Sequence, residues 1–312
     1  MIAIKSAKNS YDSPFDKWDE VSWIRSQPMK TGPIKGLPFP PHLIPLASHP
    51  KIAENSEHWL QVLAYKLLGY LRFTTLLELN YVNPITAAIA AGRAPFKVTN
   101  EQRSDALRVY CDEGGHALFS EELAMKVEET FELHHSMLGR PRMEIDLEKI
   151  LENNKSQISP ELIKLFFVAI SETLISKSLH QIPHDPQVDP LVRAVVADHA
   201  DDEARHNLYY RRLFPIIWDS LPCYDKEEMG KILPSLVCAF LGPDKEFDYR
   251  VLRQIGFKQN EAYEILEEVY IESEVCKSVK KAATSTLKMF EDAGVFNIAA
   301  VKNTFADHAY LD

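Results

Sequence analysis

Residues Asp198–His206 read DHADDEARH, and this stretch decides the fold. His199, Glu203 and His206 stand at offsets of zero, four and seven, so on a helix all three point the same way. Val192, Val195 and Val196 continue that stripe back toward Asp189-Pro190, a side-chain cap followed by proline at the first helical position. A glutamate and two histidines on an otherwise apolar helical face are either isolated core residues, each hydrogen-bonded, or one quarter of a larger polar cluster. The stretches on either side distinguish the two.

Working outward, three more segments carry a helical period. The first is predicted over roughly 55–91, with Glu78 on a face shared by Leu71, Thr74, Thr75, Val82 and Ile85. Pro84 falls inside it and predicts a kink or break near Asn83. The second is predicted over roughly 100–136, opened by a capping box at Thr99 and Gln102. It places Glu113 and His116 three apart, beside Val109, Tyr110 and Ala117. The third starts at Ser159-Pro160 and is predicted to end before Pro183. It sets Glu172 with Leu165, Val168, Ala169, Ile175 and Leu179. The DHADDEARH helix is predicted to reach about Phe214, with later helices near 225–240 and 259–292.

No strand-like alternation persists over a comparable length. Two helix pairs joined by a long connection at 137–158 have the connectivity of a ferritin-like four-helix bundle. The predicted class is therefore all-α. Residues 1–50 hold eight of the nineteen prolines, and GLPFPPHLIPLASHP cannot be a long helix. Its aromatic and apolar residues predict an ordered strap on the body. The organisation expected is a single domain: strap 1–50, bundle 51–215, additional helices 216–312.

Composition agrees. Hydrophobic residues make up 46% of the 312, enough for a core, and only 11 are glycine, which argues against a turn-rich barrel. The net charge of -10 argues against nucleic acid or an anionic membrane as the main partner. Apolar runs such as Leu165–Ile170 are far short of a membrane span. The N-terminus lacks a signal-peptide layout, and Cys111, Cys223, Cys238 and Cys276 form no CxxC. The four are read as free thiols and the location as cytoplasmic.

Taken in order, the four helices offer Glu, Glu-x-x-His, Glu and Glu-x-x-His. That is the ligand set of dinuclear carboxylate sites in bundles. Unpaired buried carboxylates cost several kcal/mol per ion, so four converging in a core demand cations. Two divalent metals match four carboxylates. Oxygen and imidazole donors without thiolate suit iron or manganese and disfavour structural zinc. His199 is extra to this set. It is placed either to be a third imidazole ligand or to hydrogen-bond a ligand carboxylate. Gly114 and Gly115, mid-helix beside ligands, suggest a close helix approach, a π-bulge or small-molecule access. Asp112, Asp198, Asp201 and Asp202 lie off the ligand face, solvated or hydrogen-bonding the ligands.

On Glu78, Glu113-x-x-His116, Glu172, the His199-x-x-x-Glu203-x-x-His206 run and the FPPHLIPLASHP segment, the sequence resembles the non-haem di-iron N-oxygenases of the p-aminobenzoate N-oxygenase (AurF-like) family. The resemblance covers roughly residues 38–215. It implies that all seven residues, His199 included, are iron ligands for two Fe ions. It implies O2 as co-substrate, reacting at the reduced site to give a peroxo-diferric species. That species oxidises an amine to hydroxylamine, and in some members onward to nitroso or nitro. It further implies a small-molecule amine substrate, free or carrier-bound, and a homodimer. No G-x-G-x-x-G fingerprint is present, so an external electron donor is expected. Other readings of the same residues are a di-iron oxygenase acting on carbon, iron storage, and a metal-free helical interaction protein.

Overall fold

The computed structural model describes residues 11–174 and 177–310. Residues 1–10 of the expected strap, and Ile175 of the expected Glu172 face, lie outside the described residues. Among the described residues no strand forms; one isolated bridge joins Leu37 to Val188. The all-α expectation holds. Among the described residues no helix is long and apolar enough to cross a membrane.

Helix α1 spans Ser56–Leu77 and continues through a π-helical segment, Glu78–Val82, into α2, Asn83–Ala90. Helix α3 spans Asn100–Phe131 and opens with the predicted capping box of Thr99 and Gln102. It ends earlier than expected, because Glu132 turns left-handed at φ 55. Helix α4 (Arg142–Asn154) lies inside the stretch expected to be a plain connection. Helix α5 (Pro160–Ser171) starts on the Ser159 side chain as predicted but stops at Glu172, far short of Pro183. There Ser171 and Thr173 donate their hydroxyls to the carbonyls of Val168, Ala169 and Ile170, so the last turn closes on itself. A short helical turn, Lys177–Gln181, follows.

Helix α6 (Pro190–Ser220) is capped by Asp189 and passes through Pro215 to run past the predicted end. Helices α7 (Cys223–Leu241), α8 (Lys245–Gln254), α9 (Gln259–Val269), α10 (Glu272–Asp292) and α11 (Ala299–Asp307) complete the chain. The single helix expected at 259–292 is thus two helices, broken at Tyr270-Ile271.

Two apolar clusters fix the helix directions. One gathers Leu63–Leu71 of α1, Phe119–Val127 of α3 and Val192–Val196 of α6. The other gathers Val82 and Ile89, Ala106 and Val109 of α3, most of α5, and Tyr209–Trp218 of α6. Helices α1 and α6 therefore run from the first cluster to the second. Helices α3 and α5 run the opposite way, so the 132–159 connection must return along the bundle. That is the long crossover expected from the sequence. The Glu and His residues of the four helices form the layer between the clusters.

The strap is ordered where described. Ile44, Leu46, Ala47 and Ile52 are buried. Asp189 ties it down by accepting Lys35 N–H at 2.6 Å and Gly36 N–H at 2.8 Å.

Candidate metal centre

Glu78 begins the π segment, and the sequence explains why the helix widens there. Pro84 has no N–H to donate, and its ring crowds the carbonyl four residues earlier, so an unbroken α ladder cannot pass. The Asn83 N–H bonds instead to the Glu78 carbonyl five residues back, which is a π turn. The expected kink near Asn83 takes this form. The glycine pair, expected as one possible π-bulge, lies in regular α-helix. Gly115 instead admits Trp23 and Ile24, and Gly114 faces open space.

All seven predicted residues come together. Their ligand-capable atoms form three overlapping groups, each within 4.8 Å: Glu78, His116, His199 and Glu203; Glu113, His116, Glu203 and His206; Glu78, Glu113 and Glu172. Six of the seven are at most 5% exposed, and the Glu203 side chain is 12% exposed. Glu113 spans two imidazoles: its Oε2 lies 2.8 Å from His116 Nδ1 and its Oε1 2.8 Å from His206 Nδ1. Glu203 Oε1 is 3.0 Å from His199 Nε2, 3.4 Å from His116 Nδ1 and 3.5 Å from His206 Nδ1. The His116 and His199 rings stand 4.2 Å apart.

Burial without metal polarises the group. Burial, then the charges of Glu113, Glu203 and Glu172, push the Glu78 carboxyl well above its usual range. Burial, then Glu203 and Glu113, do the same to Glu172. Burial opposes ionisation of Glu113 too, but His206 and His116 hold it down at about 2. His206 likewise overcomes burial at Glu203 and keeps it well below the usual range. His116 and His206 are raised well above theirs against burial, chiefly by Glu113. His199 is lowered by burial and by His116. Without a metal, protons balance this layer, and the balance is incomplete. Glu78 Oε2 and Glu172 Oε2 are buried with no hydrogen-bond partner, and Glu113 Oε1 and His206 Nδ1, though 2.8 Å apart, are not aligned as a hydrogen bond. Orphaned acceptors facing one another fit cations.

Asp112 and Asp202 complete the site. Both are off the ligand face, as expected, and both are buried. Asp112 Oδ2 lies 3.2 Å from His206 Nε2, and Asp202 Oδ2 lies 3.2 Å from His116 Nε2. Each aspartate thus serves the histidine of the other helix. A carboxylate at Nε2 keeps the proton there and turns the Nδ1 lone pair inward. The doubled Asp-Glu-x-x-His spelling, DEGGH and DEARH, was the available signal. Of the other aspartates, Asp201 is exposed and Asp198 sits 3.5 Å from Lys30.

Sequence reasoning missed the N-terminal contribution. Trp18 Nε1–H donates to Asp112 at 2.8 Å and Ser22 Oγ–H at 2.6 Å. The Trp23 N–H and Arg205 support Asp202. Phe15 packs against His206, with centroids 6.1 Å apart. No period in residues 11–26 signals these contacts, because they are short turns held by tertiary packing. Ser22→Ala is expected to lower stability by about 1–3 kcal/mol, since it leaves a buried carboxylate short of one donor. Urea unfolding of the metal-free protein measures this; an unchanged midpoint would contradict it.

Among curated proteins, none matches the chain. The family model described as p-aminobenzoate N-oxygenase AurF matches residues 2–294. With the match running over nearly the whole length, and the helical bundle and its carboxylate–imidazole layer in place, the chain belongs to the p-aminobenzoate N-oxygenase AurF family.

Proposed function

We propose that this protein is a di-iron monooxygenase that uses O2 to oxidise an amine nitrogen of a small molecule to the hydroxylamine. Glu78, Glu113, His116, Glu172, His199, Glu203 and His206 would hold two iron ions, which supply O2 activation when bound. The observation that carries this reading is the buried layer of four carboxylates and three imidazoles with orphaned inward atoms, in a chain of this family.

The chain's own residues have separable tasks. Glu113, facing two imidazoles, and Glu203, facing three, would be placed to serve both ions. His199 sits in the group with Glu78, His116 and Glu203, and His206 in the group with Glu113, His116 and Glu203, so imidazoles would be available to both ions. Asp112 and Asp202 hold protons at the outer nitrogens of His206 and His116. Phe119 packs on the His116 and His199 rings and helps exclude water. Conversion of an amine and O2 to hydroxylamine and water consumes two electrons and two protons, which an external reductant and solvent supply.

The test is oxygen exposure of the reduced, iron-loaded protein with a panel of amines, followed by mass spectrometry. A product with oxygen on nitrogen is expected. Oxygen found on carbon alone, or iron uptake far above two per chain without product, would contradict the proposal.

A further inference from the structure

Between α1, the strap, the crossover and the C-terminal helices lies a cavity of about 740 Å³. Its floor is one face of α1, where Lys66, Gly69, Tyr70, Phe73 and Leu76 recur at three- and four-residue spacing. Leu43 of the strap and Phe240 at the end of α7 also line it. The volume lies high in the range of roughly 300–1,000 Å³ typical of pockets for drug-sized ligands. An aniline without a long substituent would leave most of it empty.

Two sets of side chains connect the cavity wall to the elements that carry the carboxylate layer. Tyr70 is the first. Its ring meets Phe39 in the cavity wall at 6.3 Å. It stands about two turns before Glu78, on the helix that continues into the Glu78 segment. Tyr70 thus belongs both to the cavity wall and to the helix that leads to Glu78. The second is a run of rings. Phe73 lies 6.0 Å from Phe240, Phe240 6.3 Å from Phe167, and Phe167 5.8 Å from Tyr81. Tyr81 belongs to the π segment that begins at Glu78.

Charge selects the ligand class. Lys66 Nζ is 2.5 Å from Asp248 and lies over the Phe247 ring. Arg72 is engaged by Glu121 and Glu128. Arg142 lies 3.2 Å from Asp146 and also donates to the Cys238 carbonyl. His135 Nδ1 is 2.8 Å from Glu128. Every cationic side chain on the wall already has an anionic partner. A carboxylate on the ligand would enter an apolar space and find no free cation.

We infer that this cavity takes the body of a large, uncharged, apolar amine, such as an alkyl-substituted aniline, with its nitrogen directed past Tyr70 toward the carboxylate layer. The reaction at that nitrogen rests on the N-oxygenase proposal; the binding does not.

The test is calorimetric titration of the iron-loaded protein with para-hexylaniline and with p-aminobenzoate. Para-hexylaniline is expected to bind about tenfold more tightly or better, through burial of its chain. Leu76→Trp and Leu43→Trp fill the cavity from opposite walls. Each is expected to weaken para-hexylaniline by about tenfold, with iron content and melting temperature unchanged. Equal or tighter binding of p-aminobenzoate would overturn the inference. So would unchanged para-hexylaniline affinity in either folded tryptophan variant. If para-hexylaniline binds as expected but no nitrogen–oxygen product forms, the proposed chemistry fails and the binding site stands.

Discussion

Glu113→Ala is expected to strip most of the iron from the protein. Glu113 is the carboxylate whose two oxygens face different imidazoles, at 2.8 Å each. Its removal takes a donor from both metal positions at once. Loss of a supporting hydrogen bond outside the ligands costs about 10–100-fold in metal affinity, and loss of a shared ligand exceeds that. The effect on loaded stability follows by linkage, because a metal that binds only the folded chain stabilises it by its binding free energy. Iron analysis and thermal melting with and without iron measure both. The variant is expected to show the same melting temperature with or without added iron, whereas the parent gains strongly. Full iron content in Glu113→Ala would contradict the assignment. Asp112→Ala provides the graded comparison: it keeps every ligand and is expected to lose about 10–100-fold in affinity.

Iron loading is expected to release protons, and the metal-free protein is expected to lose stability as pH rises. Glu78, Glu172, His116 and His206 all have raised values in the folded chain. Each therefore holds its proton in the folded state beyond the pH at which the unfolded chain releases it. Their stabilising contribution is complete below the ordinary values, 4.5 for the carboxyls and 6.5 for the imidazoles. It is lost as pH climbs through the folded values. Glu113 and Glu203 are lowered, so they contribute above the ordinary carboxyl value and lose that contribution as pH falls, Glu113 toward about 2. The metal-free melting temperature should therefore fall over the window above pH 6.5, where the imidazoles' contribution begins to go, that of the carboxyls having begun to go above 4.5. Two divalent ions replace the charge of about four protons, so loading in weak buffer is expected to release about that number. With iron bound the alkaline decline should vanish. A metal-free melting curve flat over that window, or loading without proton release, would contradict this balance.

These effects depend on residues that were mostly legible in the sequence. The three-four-seven spacing at DHADDEARH, the capping box at Thr99 and the two proline helix starts identified the bundle helices and aligned the seven side chains. The family model and the helical structure agree with that reading of the fold. The ends of elements were less legible. Helix α4 had a signal, Met143 and Leu147 at a four-residue spacing after Pro141, inside the stretch expected to be a plain connection. The break at Tyr270-Ile271 has no proline or glycine to mark it. Its cause is tertiary: the Tyr270 hydroxyl donates to buried Asp248, which holds the chain out of helical register. Glu172 was expected inside a long helix and instead sits just past its end, fixed by hydroxyl caps and by the Thr173–Thr286 contact to α10.

The layer around the ligands was the least legible part. Trp18 and Ser22 reach Asp112 from more than eighty residues away, and no local pattern encodes such a contact. Arg72 and Arg205 are paired with the chain's own acids. Tyr110, expected beside Glu113 and His116, is 44% exposed. All four cysteines are free and exposed, as read from their spacing.

Metal analysis of the purified protein beside Glu78→Ala and Glu172→Ala tests the central claim most directly. About two irons per chain are expected in the parent, with a clear fall in both variants, whose altered residues lie on different helices. A parent that binds no metal, or variants that keep the parent's iron content, would show that these side chains meet for some other reason.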